Sequence, residues 1–358
     1  MSSFSSFDHA MMRRALALAE NGLYTTTPNP RVGCVLARDG SVVGEGWHEK
    51  AGAPHAEANA LAAAGPAARG ATAYVTLEPC NHQGRTPPCA AALAAAGVAR
   101  VVAAVRDPNP EARNGAGTLA AAGISVEHGL MEEEAREMNI GFFSRMTRSR
   151  PWVRMKIAAT LDGRTALSDG RSQWITGDEA RKDGHRWRAR ACAILTGIGT
   201  VKADDPRLTV RDVETSRQPL RVVVDSRLEI PQSAKILQGD GKVLLFSAVE
   251  PKRALEGAEH VVLPNPGGKV DLRAMLGALA KRGVNELHVE AGFRLNGSLV
   301  REGCVDEFLL YLNPSFLGDA AQGMLDLPPF DSLDRRPKTT LRSVDRIGAD
   351  LRILARPA

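Results

Sequence analysis

Aromatic side chains make up only 4% of this 358-residue chain, and no run of 18 apolar residues occurs in it. Without such a run, no membrane-spanning helix is expected. Sparse aromatics, and the absence of any Lys/Arg run or basic stripe, leave no nucleic-acid footprint. Cysteine is scarce and odd in number, at five, which argues against a disulfide framework and for a reducing compartment. Two nucleotide-binding signatures are also missing. Walker A is absent, and Gly197-Ile198-Gly199 lacks the third glycine of a dinucleotide fingerprint.

What is present suits a soluble enzyme of about two domains, on the usual prior of roughly 150 residues each. The chain is 44% hydrophobic, enough for two cores, and its formal charge of +5 fits an anionic, phosphorylated substrate. From residue 8 to 140 strand and helix patterns alternate. Apolar runs at Gly33–Ala37, Val42–Trp47, Ala73–Leu77, Val101–Ala104 and Ile124–Glu127 read as strands, and 9–20, 56–64, 88–96, 115–122 and 131–139 as helices. Asp8 reads as the first N-cap, and Arg13 and Arg14 interrupt the apolar run that a signal peptide needs, so a cytoplasmic location is expected. The polar stretch Ser144–Pro151 reads as a break. Beyond it, strands are expected at Trp152–Ala159, Ala193–Thr196, Leu220–Asp225, Lys242–Ser247, His260–Leu263, Glu286–Glu290 and Asp306–Leu312. Helices are expected at 178–191, 271–282 and 293–302, with Asp178 and Asp271 as N-caps. The prediction is two α/β domains in tandem, 1–146 and 151–358. Cys34, Cys192 and Cys304 read as core thiols.

The chemistry concentrates in His55-Ala56-Glu57 and Glu78-Pro79-Cys80…Cys89. One His and two Cys form a three-ligand set for Zn²⁺ that leaves the fourth tetrahedral position to water. Bound zinc lowers the pKa of water to about 7, and Glu57 is placed to move protons between that water and a leaving amine. This H-x-E…P-C pattern is that of zinc deaminases acting on nucleobase-like rings. Pro54 and Pro79 suit positions just before helix starts, which brings ligands to helix N-termini. The bland alternative is a closed zinc knuckle in a binding module, with His82 or Cys34 as fourth ligand. A third reading is a zinc deaminase of nucleosides or nucleic-acid bases with a non-catalytic second domain.

In the second half three clusters carry polar chemistry. Gly197 and Gly199 follow a strand and give backbone N–H groups room to approach a phosphate, although a tight turn explains them equally well. His288-Val289-Glu290-Ala291-Gly292-Phe293 reads as strand, turn and helix start, with Glu290 at the edge where open α/β sheets bind ligands. Asp162-Gly163-Arg164 and Ser172-Gln173-Trp174 form the third, and Trp174 serves either to stack on a ring or to bury itself.

The motifs resemble, over nearly the whole chain, the bifunctional pyrimidine deaminase/reductases of riboflavin biosynthesis. The matching segments include Thr27-Pro28-Asn29-Pro30-Arg31-Val32-Gly33-Cys34, Pro54-His55-Ala56-Glu57, Leu77-Glu78-Pro79-Cys80, Gly84-Arg85-Thr86-Pro87-Pro88-Cys89, Asp107-Pro108-Asn109-Pro110, Leu161-Asp162-Gly163-Arg164, Ala203-Asp204-Asp205-Pro206-Arg207-Leu208-Thr209-Val210 and Val289-Glu290-Ala291-Gly292. The Gly-Arg-Thr-Pro-Pro insert separates this family from deaminases whose second ligand pair is C-x-x-C.

The resemblance implies a cytidine-deaminase-like three-layer α/β/α domain followed by a dihydrofolate-reductase-like α/β domain. It implies zinc-dependent deamination of 2,5-diamino-6-(5-phosphoribosylamino)pyrimidin-4-one, then NADPH-dependent reduction of the ribosyl chain. His55, Cys80 and Cys89 would hold Zn²⁺, and Glu57 would shuttle protons. Asn29, His48, His82, Arg85, Asp107 and Asn109 would line the deaminase substrate pocket. Ala158, Trp174, Thr200, Asp204, Ser226 and the run Gly292, Phe293, Arg294, Leu295, Asn296, Gly297, Ser298 would contact NADPH. Ser172, Arg188, Leu208, Arg211 and Glu290 would contact the reductase substrate. Arg188 and Arg211 are expected to hold its phosphate, with Lys156, Asp204 and Glu290 open as proton sources. A homo-oligomer is expected.

Overall fold

The computed structural model describes residues 4–82, 87–112, 114–239, 241–251 and 256–358. The chain divides into two compact units, Met1–Arg148 and Ser149–Ala358. The first runs α1 (Ser6–Glu20), β1 (Gly33–Arg38), β2 (Ser41–Trp47), α2 (Ala56–Ala64), β3 (Thr72–Val75), α3 (Cys89–Ala95), β4 (Arg100–Ala103), α4 (Gly115–Ala121), β5 (Ser125–His128), α5 (Glu132–Met138) and α6 (Ile140–Arg148). Its sheet has the order β2-β1-β3-β4-β5, antiparallel across β2-β1-β3 and parallel from β3 to β5.

Period-2 alternation assigns the two faces of β1. A Cβ on Gly33 would meet the Ala15 carbonyl oxygen of α1 at 1.9 Å, so that face lies directly against α1. Cys34, the next residue, pairs with Gly46 of β2, whose Cβ would meet Ala60 N of α2 at 2.7 Å. The two helices thus cover opposite faces, and the unit has three layers. Buried Met12, Leu16, Val35, Leu36, Leu93 and Val101 belong to its core.

The ends of α1 and α6 correct two sequence expectations. Ser5, not Asp8, caps α1; Asp8 stands three residues in, accepting from the Ser5 backbone N–H at 2.8 Å while the Ser5 hydroxyl accepts from Asp8 N at 3.1 Å. This is a capping box, in which the acidic residue is the reciprocal partner of the cap. The boundary between the two units, after Arg148, falls within the expected break Ser144–Pro151, but residues 144–148 of that stretch are the end of α6, which buries Phe142, Phe143 and Ser144 and carries Arg145 and Arg148 in its last turn. An amphipathic helix with a basic end presents few apolar residues in its final turn, which is why it read as polar linker.

The second unit contains β6 (Trp152–Thr160), β7 (Arg164–Ala166), α7 (Asp178–Arg190), β8 (Ala193–Gly197), α8 (Ile198–Asp204), β9 (Leu220–Val224), β10 (Val243–Ser247), β11 (Glu259–Val262), α9 (Leu272–Lys281), β12 (Glu286–Val289), α10 (Phe293–Arg301), β13 (Glu307–Asn313), β14 (Gln322–Gly323), β15 (Thr339–Ile347) and β16 (Asp350–Pro357). Nine strands form one sheet in the order β11-β10-β9-β8-β12-β6-β13-β16-β15. It is parallel as far as β13 and antiparallel in the final hairpin. Asp271 caps α9, accepting from Ala274 N at 2.9 Å. Gly177, not Asp178, takes the cap position of α7; Asp178 falls in its first turn, where a carboxylate complements the helix dipole.

The two faces of this sheet differ in chemistry. Val153, Met155, Ile157 and Ala159 of β6 join Leu287 and Val289 of β12 in an apolar core with Leu272, Met275, Leu279 and Leu299. The alternate residues, Arg154 and Lys156 of β6 and Glu286, His288 and Glu290 on and just after β12, lie on the other face, which α7 covers. There Arg154 is buried between Glu286 (2.9 Å) and Glu307 (3.1 Å) and stacks 4.4 Å over the Trp187 ring. Cys34, Cys192 and Cys304 are buried and in no disulfide. No helix among the described residues is long and apolar enough to cross a membrane.

Candidate active sites

In the first unit, three segments converge at the helix N-termini. His55 is the residue before α2, Glu57 lies in the first turn of that helix, and Cys89 opens α3. Cys80 follows β3 on the Glu78-Pro79 turn, and its sulfur accepts from Cys89 N at 3.5 Å. Among the described residues, His55, Cys80 and Cys89 form the one His/Cys cluster whose donor atoms come within 4.8 Å of one another. Nδ1 of His55 lies 3.6 Å from Cys80 Sγ and 3.3 Å from Cys89 Sγ. Tetrahedral zinc with Zn–N near 2.1 Å and Zn–S near 2.3 Å would separate these atoms by ~3.6 Å. The donor set therefore fits Zn²⁺.

The hydrogen bond from Cys89 and the His55 ring lower the Cys80 thiol, while Cys80 and burial push Cys89 upward. A dication bound between them would favour both thiolates. Glu57 is 4% exposed; burial and the adjacent Cys80 raise its carboxyl to about 7, where it can both take and give a proton.

The wall beside this cluster is fixed by hydrogen bonds. Nδ1 of His48 lies 3.0 Å from the Pro54 carbonyl oxygen, and Nε2 lies 3.1 Å from Asn29 Nδ2. A carbonyl only accepts, so the proton of neutral His48 sits on Nδ1 and its bare Nε2 accepts from the Asn29 amide. Burial holds His48 below its usual range, consistent with that neutral form. Asn29 is thereby oriented with its Oδ1 free of the imidazole. The His48 ring meets the His55 ring edge to face, with centroids 5.3 Å apart.

On another side, Glu78 accepts from Asp107 N at 3.3 Å and from Ala116 N at 3.1 Å, while Asp107 accepts from Asn109 N at 2.8 Å. Burial raises Asp107 to about 6. Gly115, the first residue of α4, is obligatory here: a Cβ would sit 1.8 Å from the Pro79 carbonyl oxygen. His82 has a buried Nδ1 without a hydrogen-bond partner among the described residues. Arg85, in the Gly-Arg-Thr insert, lies outside the described residues.

In the second unit several of the sequence candidates lie where β8, β9 and β12 end. Gly197 precedes α8, which carries Thr200 and Asp204, and Gln173 donates to Asp204 at 3.4 Å. Burial raises the Asp204 carboxyl. Ser226 follows β9 and accepts from Val270 N at 3.1 Å. Gly292 takes the cap position of α10, and its Cβ would lie 3.6 Å from Thr200 Oγ1, so the two helix starts adjoin.

The run from Gly292 to Ser298 is not a loop beyond its first residue. Phe293 to Ser298 are helical, and only the first turn offers free N–H groups. Further along, Asn296 donates to Ala291 O at 3.0 Å and Gly297 packs against the Asp326 backbone. Trp174 is 70% exposed and lies under the Arg181 guanidinium at 4.9 Å, so it does not bury itself. Ala158, on β6, and Ser172 are half-buried, and Arg211 is exposed.

Arg188 and Glu290 come together across 102 residues in a two-bond pair, Nε–Oε1 at 2.5 Å and Nη2–Oε2 at 2.8 Å. Arg188 also donates to Thr209 O at 3.1 Å. Of the five guanidinium N–H groups, three are thus committed among the described residues and two remain for a ligand. Burial alone would raise Glu290, but the Arg188 charge and hydrogen bonds outweigh it and hold the carboxyl well below its usual range. Lys156 is desolvated, which lowers its ammonium pKa, opposed by Glu290. Leu208 is buried with a left-handed φ of 48°. His185, not singled out in the sequence, sits among these groups on the face of α7 that carries Arg188. The His-x-x-Arg spacing on one helical face was the available signal.

The fold and the two sites define a zinc-type pyrimidine deaminase joined to a reductase of parallel-sheet architecture. The cytidine and deoxycytidylate deaminase zinc-binding region matches residues 5–105, and the RibD C-terminal domain matches residues 151–353. The riboflavin biosynthesis protein RibD of Escherichia coli K12 is 46% identical, across 96% of this chain and 98% of the relative. That of Haemophilus influenzae is 46% identical across 100% and 99%. The solved RibD of Acinetobacter baumannii superposes with a TM-score of 0.92 at 43% identity, covering 98% of this chain and 99% of that one. A diaminohydroxyphosphoribosylaminopyrimidine deaminase/5-amino-6-(5-phosphoribosylamino)uracil reductase from Thermotoga maritima gives 0.90 at 32% identity, covering 98% and 99%. The chain belongs to the RibD family, the bifunctional deaminase–reductases of riboflavin biosynthesis.

Proposed function

We propose that residues 1–146 deaminate 2,5-diamino-6-(5-phosphoribosylamino)pyrimidin-4-one and that residues 151–358 reduce the product's ribosyl chain with NADPH. The observation that carries the deaminase assignment is the His55 Nδ1, Cys80 and Cys89 donor triangle beside buried Glu57. A zinc ion held by those three supplies the Lewis acidity that makes water nucleophilic near neutral pH. Glu57 takes a proton from the attacking water, then passes protons to the ring nitrogen and the departing amine, so that the C–N bond breaks and ammonia leaves. Asn29, oriented by His48, offers its Oδ1 to an N–H on the pyrimidinone edge. Asp107, Asn109, His82 and Arg85 complete the pocket, Arg85 as a bidentate partner for the substrate phosphate.

In the reductase, Ala158, Trp174, Thr200, Asp204, Ser226 and the segment from Gly292 to Ser298 bind NADPH, which supplies the hydride. On α10 the free N–H groups of the opening turn would be its partners. Arg188 and Arg211 hold the substrate phosphate, Arg188 through its two uncommitted N–H groups. Glu290 keeps Arg188 in register, and Ser172 and Leu208 flank the sugar. Solvent-facing Leu341 and Val344 on edge strand β15 support a homo-oligomer, and five buried cysteines, none of them in a disulfide, support a cytoplasmic location. Glu57→Gln tests the proton shuttle: zinc stays bound by metal analysis while ammonia release disappears. Ammonia release at the wild-type rate would remove Glu57 from this role.

A further inference from the structure

The segment from Asp205 to Asp212 carries Leu208 and Arg211, yet residues 206–212 belong to no helix or strand. Three of its residues hold left-handed backbone without being glycine: Asp205 at φ 41°, Leu208 at 48° and Asp212 at 60°. Such conformations persist only where surrounding structure over-determines them. Here side chains do so. Gln218 accepts from Val210 N at 2.8 Å and donates to Val210 O at 3.3 Å, and Arg188 donates to Thr209 O at 3.1 Å. The last tie is His185, whose Nδ1 accepts from Arg211 N at 3.0 Å.

That contact dictates the state of the imidazole. A backbone N–H only donates, so Nδ1 is bare and the ring proton is on Nε2. An imidazolium would place N–H against N–H and expel the segment. The surroundings oppose that charge: burial, then Arg188 and Arg211, depress His185 to about 4, against weaker pulls from Glu290 and Asp212. His185 is 8% exposed and lies one turn before Arg188 on α7, so one helical face holds both the arginine and the segment.

We propose that His185 is a positioning residue of the reductase: as a neutral acceptor on α7 it pins the Arg211 backbone and sets the spacing of Arg188 and Arg211 for the substrate phosphate. This rests on the reading above that these two arginines hold that phosphate. His185→Phe fills the volume but removes the acceptor, and His185→Asn places an amide oxygen near the site of Nδ1.

For His185→Phe, amide exchange at Arg211 should accelerate about tenfold, the value of one lost hydrogen bond. The reductase KM for 5-amino-6-(5-phosphoribosylamino)uracil should rise by a similar factor, with kcat and the KM for NADPH little changed. His185→Asn should restore both. Unchanged exchange at Arg211 in His185→Phe, or an Asn variant as impaired as the Phe variant, would overturn the proposal. So would a parallel rise in the KM for NADPH, which would mark His185 as general scaffold. The dephosphorylated substrate separates the two layers. If wild-type enzyme reduces it with the same KM, the phosphate reading of the arginines fails, and with it the functional part of the proposal. Arg211 exchange then reports the backbone tie alone.

Discussion

Glu290→Gln is the substitution whose consequences the geometry constrains most tightly. Glu290 accepts two hydrogen bonds from Arg188, and its Oε1 lies 3.3 Å from Nε2 of His288. Both partners of the Arg188–Glu290 pair are about 15% exposed, so water offers little compensation when the pair is broken. Removing one member of a buried pair costs about 3–5 kcal/mol, because the remaining charge stays desolvated. Gln retains one acceptor for Arg188, so about 3 kcal/mol is the expected loss. For a unit of this size that lowers the melting temperature by about 6–12 °C. The functional loss should be larger than the loss of folded protein accounts for, since Arg188 is freed from its register while Lys156 loses its counter-charge. Measured below the melting transition, ammonia release should stay within about twofold of wild type while reductase kcat/KM falls at least tenfold. Two results would refute the reasoning. An unchanged melting curve would mean that the pair is solvated, and a joint fall of both activities would mean that the substitution acts through general unfolding.

Other expectations follow from the same geometry. Cys80→Ala and Cys89→Ala should each abolish zinc retention, measured by elemental analysis of the purified protein, and stop deamination while NADPH oxidation with supplied intermediate continues. Glu57→Gln should keep zinc and lower deamination by about 10²–10⁴-fold, the range of positioned proton transfer, in an ammonia assay. Gly115→Ala should displace the Pro79–Cys80 turn, since the new Cβ would sit 1.8 Å from the Pro79 oxygen, and should reduce both zinc affinity and deamination. His185 gives the reductase unit a pH signature. The unfolded chain takes up a proton there below about pH 6.5 and the folded unit only below about 4, so acidification through that window favours unfolding. Denaturant midpoints of wild type should therefore fall more steeply between pH 6.5 and 4 than those of His185→Asn.

The zinc cluster was legible in sequence from its motif, H-x-E followed by P-C and a second Cys; Pro54 does precede the start of α2, whereas Pro79 stands in a turn after β3 and not before a helix. The two α/β halves were legible from alternating periodicity. What escaped has physical reasons. The hairpin β15–β16 was unforeseen because it lies at the sheet edge, with Leu341 and Val344 in solvent and charged residues between, and so shows no buried apolar run. The capping role of Ser5 was hidden by the acidic residue that completes its box. The Arg188–Glu290 pair joins residues 102 positions apart, and no local pattern encodes such a meeting. His185 is similar: its spacing places it on the Arg188 face of α7, but its tie to Arg211 N, 26 residues away, is not encoded in that spacing. For Gly292 to Ser298, the strand–turn–helix order was visible, but the packing of Gly297 on Asp326 was not.

The measurement that bears most directly on the two-site account follows ammonia and NADPH in one vessel, with zinc-loaded protein and freshly prepared diaminopyrimidine ribotide. Ammonia should appear first and NADPH oxidation should follow with a lag, one NADPH consumed for each ammonia released. Folded, zinc-loaded protein that releases no ammonia from this substrate would contradict the account.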